Sequence, residues 1–107
     1  MKQDLEIKSR VKEILKIVEQ VAPGNSVELR IPPYAAIQCI SGSVHRRGTP
    51  PNVVEMSGHT LIKLVDNPTH WDEFCHTGRI SASGTNANLK DLFRQVSKLD
   101  SGTRLGM

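Results

Sequence analysis

The residues with which this chain can do chemistry are concentrated between Arg30 and Glu55, in RIPPYAAIQCISGSVHRRGTPPNVVE. His45, Arg46, Arg47 and Gly48 are consecutive there. Two planar guanidinium forks beside a glycine suit a phosphate or carboxylate, because each fork can donate to two oxygens at once. The same residues can equally form a structural turn in which Arg46 or Arg47 pairs with Glu55. Arg30, Tyr34, Gln38 and Glu55 are the other polar residues of the stretch. Tyr34 and Gln38 share strand parity and are expected on one sheet face. With Arg30 they either line the polar end of a cleft for an amphipathic ligand or serve only as scaffold.

The thiols and imidazoles point to less. Cys75 and His76 are neighbours, and adjacent helical residues diverge by about 100°. His59 and His70 fall on other turns, and no CxxC, HxxxH or HExxH spacing occurs, so no metal site is expected. Cys39 has no evident base to activate it. These features predict a non-enzymatic chain without catalytic residues or cofactor, its two cysteines acting as small buried hydrophobes.

The elements that must position these residues follow from periodicity. Ile7, Val11, Ile14, Val18 and Val21 recur at three- and four-residue steps, which predicts an amphipathic helix over 5–21, stopped by Pro23-Gly24. Ser26 to Ile31 alternates polar and apolar, as a half-buried strand should, and Pro32-Pro33 ends it. A second strand at 35–40 should pair with the first, antiparallel, across that proline corner. The small Ala35 and Ala36 let another element come close. A third strand is expected at 52–56, then a helix over 58–65 capped by Ser57. A second short helix should be capped by Thr69, with Trp71, Phe74 and Cys75 on one side. A fourth strand at 79–83 and a last helix over 87–99 complete the domain, leaving 101–107 as a flexible tail.

This order predicts one α+β domain over 1–100: a mainly antiparallel sheet of four to five strands with helices on one face. At 107 residues the chain is long enough for a single core. Aromatic residues are 4% of the chain, so that core must be aliphatic, and a cavity within it would suit an acyl chain better than a stacked base. The formal net charge of +3 lacks the dense basic face with stacking groups that nucleic-acid binders carry, so no nucleic-acid partner is expected. No secretory leader and no apolar run approaching the ~18 residues of a membrane span are evident, which predicts a soluble cytoplasmic protein with reduced thiols.

RIPPYAAIQC at 30–39, HRRGTPPNVVE at 45–55, the short helix opening at Trp71, and GRISASGTNANL at 78–89 together resemble the small bacterial sterol carrier family, best known from actinobacteria. The resemblance extends over about residues 5–96. It implies a compact sterol-carrier-like fold, and by analogy with larger relatives a lipid-accepting space between sheet and helices. It also implies an alternative, because the same fold serves as an accessory domain beside a metal-dependent, thiol-cofactor domain in mycothiol-dependent maleylpyruvate isomerases. The expected function is therefore a binding module for a small amphipathic or acyl, lipid-like ligand. Ile31, Ile37, Leu61, Leu64, Trp71 and Phe74 would be its apolar contacts, and Arg30, Tyr34, Gln38, Arg46, Arg47 and Glu55 its polar end. The alternative is an interaction domain that docks on a protein partner and holds no ligand.

Overall fold

The computed structural model describes residues 2–42 and 52–105, and His45, Arg46, Arg47 and Gly48 lie outside them. Helix α1 spans Lys2–Val21 and buries Ile7, Val11, Ile14, Leu15 and Val18 along one side. After it the chain turns at Gly24, whose φ is +148°. A Cβ there would lie 2.2 Å from the Ile40 carbonyl oxygen, so only glycine admits both the turn and the close approach.

Strands β1 (Val27–Ile31) and β2 (Ala35–Cys39) form an antiparallel pair joined by the expected proline corner. The Tyr34 amide closes the corner by donating to the Ile31 carbonyl at 2.8 Å, and the Pro32–Pro33 peptide within it is cis. Strand β3 (Asn52–Met56) lies on the other side of β1, parallel to it, and β4 (Ile80–Ser83) pairs antiparallel with β3. The strand order is β2-β1-β3-β4. The sheet is thus mixed but mainly antiparallel, as expected, with β1–β3 its parallel pair. The reason is positional: β2 returns the chain to the end at which β1 began, and β3 starts from that same end on β1's free side.

Helices α2 (Gly58–Asp66), α3 (Trp71–His76) and α4 (Lys90–Leu105), with a 3₁₀ turn at Pro68–His70, complete the fold. Ser57 caps α2 as expected, its Oγ accepting from the Thr60 amide at 3.1 Å. The next cap is Asn67 rather than Thr69: the Asn67 side chain accepts from the Thr69 amide at 3.2 Å and from its hydroxyl at 2.6 Å. Asn67 stands at the cap position just ahead of Pro68, from which its side-chain oxygen reaches the free donors of the turn, whereas Thr69 already lies inside it. Helix α4 starts three residues later than its periodicity suggests and runs to Leu105, into the stretch expected to be a tail. Its later turns are tied to α1. Arg10 donates to both carboxylate oxygens of buried Asp100, at 2.8 and 2.7 Å, and is also paired with Glu13.

Inward-facing Val27, Leu29, Ile31, Cys39, Val54, Met56 and Ile80 meet the apolar faces of α1, α2 and α4 in one core. The opposite sheet face carries Glu28, Arg30, Ala36, Gln38, Val53, Glu55, Ser81 and Ser83. At the start of β1 the polar groups are fully used. Ser26 donates through Oγ to the Ile40 carbonyl at 2.8 Å, and the buried Asn52 amide donates to the Ser26 carbonyl at 2.9 Å. The same Asn52 side chain accepts from the Asn86 amide at 2.9 Å. One side chain therefore joins β1, β3 and the segment leading into α4. Replacing it removes the partners of a carbonyl and an amide together. Asn52→Ala is expected to cost about 1–3 kcal/mol in chemical denaturation, whereas Ser81→Ala on the exposed face should change stability by less than about 0.5 kcal/mol.

Candidate functional site

The far end of β1 holds the candidate site. Arg30 projects from the uncovered sheet face, between Ala36 of β2 and Glu55 of β3 in the register. Its Nη2 donates to Glu28 Oε1 at 3.1 Å, while its Nη1 stands 4.0 Å from Glu55 Oε1, an ion pair without a hydrogen bond. The hydrogen bond that the guanidinium donates to Glu28, followed by the nearby carboxylate charges, holds it above its ordinary pKa, so it stays charged at every working pH. Arg30 and Glu55 are each about half exposed, with side-chain exposures of 47% and 48%.

Beside this pair the proline corner leaves a groove of about 300 Å³. Pro32, Pro33, Ala35 and Ala36 line it with apolar surface, and Arg30, Tyr34 and Glu55 supply the polar atoms. Strand geometry explains the arrangement. Parity puts Arg30 and Ala36 outward, the two prolines end the ladder, and two alanines leave open the space that larger side chains would fill.

Tyr34 does not join Gln38 on one face. It belongs to the turn rather than to the strand, so parity does not govern it. Its ring packs against the core beside Gly58, where a Cβ would lie 3.2 Å from Tyr34 Cε2 and 2.8 Å from Ile7. Its hydroxyl reaches Asp4 of α1 at 3.4 Å. Partial burial, then the Asp4 charge, raises the phenol above its usual range. Tyr34 therefore stands at the boundary between the groove and the helical layer. Gln38 lies opposite Glu28 on the open face, away from the groove lining.

The apolar candidates sit on the other side of the sheet. Ile31, Leu61 and Leu64 are fully buried, Trp71 and Phe74 are 3% and 4% exposed, and Ile37 packs partly buried against them. Trp71 stacks on Phe93 of α4 with ring centroids 6.2 Å apart. Phe74 has His70 stacked on it at 5.0 Å and the Arg79 guanidinium 5.3 Å from its centroid. Of the sequence candidates, Arg30, Tyr34 and Glu55 thus come together in the groove, and the six apolar residues form part of the core behind it. Residue type alone did not mark Pro32, Pro33, Ala35 and Ala36 as site residues, although the diproline and twin-alanine signals pointed to a corner with room beside it. Glu28, which orients Arg30, carried no signal beyond its parity.

The thiols sit in apolar surroundings. Burial, followed by the charge of Glu19, pushes the Cys39 thiol up to about 11, and burial likewise raises Cys75. Both are therefore protonated at neutral pH. Among the described residues no group of three or more His, Cys, Asp or Glu side chains is placed to hold a metal ion, and no helix is long and apolar enough to cross a membrane.

Helices stacked on one face of a four-stranded mixed sheet, with a charged open face and an aliphatic core, define a compact α+β domain. Residues 3–94 match the model of the family described as bacterial SCP ortholog, and the chain belongs to that bacterial sterol-carrier-protein-like family. No curated protein matches it.

Two expectations test these environments. Trp71→Ala should lower unfolding free energy by roughly 3–5 kcal/mol, the cost of emptying a packed aromatic site, as measured by denaturant titration. Cys39 should resist Ellman's reagent at pH 8 in the native state and react once the protein is unfolded. Because its raised pKa applies only to the folded chain, the stability it contributes should fall as pH rises from about 9, the unfolded thiol value, to about 11.

Proposed function

We propose that this protein is a non-catalytic binding module for a small amphipathic or acyl, lipid-like molecule. The ligand's polar end would sit in the proline-corner groove and its apolar part would point toward the layer between sheet and helices. The observation that carries this reading is the groove itself, with an Arg30–Glu55 polar rim over an apolar floor of prolines and alanines. Its volume lies at the lower limit of ligand pockets, about 300–1,000 Å³, which suits a head group or short chain rather than a whole sterol. Membership of a sterol-carrier-like family supports the lipid class.

Tyr34 stands between this groove and the aliphatic core. An acyl chain passing it would meet Ile31 and Ile37 first, then Leu61 and Leu64, with Trp71 and Phe74 deeper. These side chains fill the space with one another, so deep entry requires the helical layer to move outward. Arg46 and Arg47 belong to the same proposal as further polar contacts. A cytoplasmic setting, in which both thiols stay reduced, completes it.

The uncovered sheet face favours a second reading, an accessory module that docks on a protein partner. A row of Glu28, Arg30 and Glu55 is a charged surface of mixed sign, which suits specific pairing with a protein and not with nucleic acid.

Native mass spectrometry of freshly purified protein, followed by solvent extraction, tests the choice. A stoichiometric acyl or lipid-like adduct, displaced by ligands that perturb the Tyr34 and Ala36 amides, is the expected result. A clean apo mass with no uptake from a mixed lipid pool would reject the carrier reading in favour of the docking module.

A further inference from the structure

The charges at the groove rim say what kind of polar end it can accept. Arg30 is the only cation that the described strands place on the uncovered face, and it stands between two carboxylates. Glu28 holds Nη2 of its guanidinium at 3.1 Å. That contact turns Nη1 toward Glu55, yet the two stop at 4.0 Å, too far for a hydrogen bond. Both groups are about half exposed and open onto the same groove. One cation between two anions gives the cluster a net charge of −1.

A lone carboxylate or phosphate would reach Arg30 only against the repulsion of Glu28 and Glu55. A lone ammonium would reach Glu55 only beside Arg30. A ligand carrying both charges meets each with its complement, and its own dipole replaces the weak Arg30–Glu55 attraction. The apolar floor of Pro32, Pro33 and Ala36 would lie beneath the short link between the two charges.

We infer that the groove is a site for a zwitterionic group, its anionic part on the Nη1 side of Arg30 and its cationic part on the Glu55 carboxylate. This rests on the reading of the groove as an amphiphile site and names its head-group class. Such a group is found both on lipid head groups and on free ammonium–phosphate or ammonium–carboxylate metabolites.

Four probes with the same short chain and different heads separate the outcomes: hexylphosphocholine, hexanoate, hexylammonium and hexanol. Amide-detected NMR titration should show hexylphosphocholine shifting Tyr34, Ala36 and Glu55 and binding about tenfold tighter than hexanoate or hexylammonium, the scale of one charge-assisted contact. Glu55→Gln should abolish that preference and improve hexanoate binding, while Arg30→Gln should improve hexylammonium binding. Dispersed spectra from both variants would show that they fold. Equal binding by all four probes, or hexanoate tightest, overturns the zwitterion site while leaving the amphiphile reading intact. No groove shift with any probe overturns both. Phosphocholine without a chain distinguishes the sources: binding as tight as hexylphosphocholine supports a free metabolite, and a strong chain dependence supports a lipid head group.

Discussion

The parallel pairing of β1 with β3 is the constraint on which the rest of the molecule depends, and the Asn52 side chain holds it in place. Parallel strands lack the direct hairpin that would set their register locally. Here the register is set by a buried amide that donates to the Ser26 carbonyl before β1 and accepts from the Asn86 amide before α4. With Asn52 opposite Val27, Arg30 necessarily falls opposite Glu55 three residues on. A slip of one residue would place Glu55 inward and Val54 outward, destroying the core face and the groove together. The site at one end of the sheet is thus determined by a polar knot at the other.

The two faces of this sheet carry different burdens. The inner face contributes aliphatic residues to a core closed by α1, α2 and α4, and helices α1 and α4 are joined by the two-pronged Arg10–Asp100 pair. A carboxylate as buried as Asp100 is tolerable only with such a partner. The outer face is polar and contains an arginine shared by two glutamates. Tyr34 stands between the two: it lines the groove, its ring lies against Gly58 and its hydroxyl reaches Asp4 of α1. Such a boundary suits a side chain that is hydrophobic yet polar-tipped, and tyrosine has both properties.

Much of this was legible in the residues. Alternation in VELRI, the diproline corner, the capping serine at Ser57 and the helical spacing of α1 each identify an element because each is a local property of backbone and side chain. Arg30, Tyr34 and Glu55 were also recognisable as candidates, since polar residues crowd around few places in an aliphatic chain. The Tyr34–Gln38 pairing failed for a local reason of a different kind. Parity holds only within a strand, and the strand begins one residue after Tyr34. The extent of α4 was obscured because the two glycines and the low apolar content of residues 101–107 argue against helix, while the contact that supports its later turns comes from Arg10, 90 residues away.

By itself, then, the amino-acid order determined the element list, the α+β class, the aliphatic nature of the core and the family. These rest on periodicity and short-range sterics, and on motifs that are contiguous in the chain. Only the tertiary structure decided that β3 runs parallel to β1, that Arg30 lies between Glu28 and Glu55, and that the proline corner opens a groove while Leu61, Leu64, Trp71 and Phe74 are buried in the core. Those outcomes depend on which distant strands become neighbours and in what register. Long-range hydrogen bonds such as those of Asn52 set both, and no local pattern encodes them.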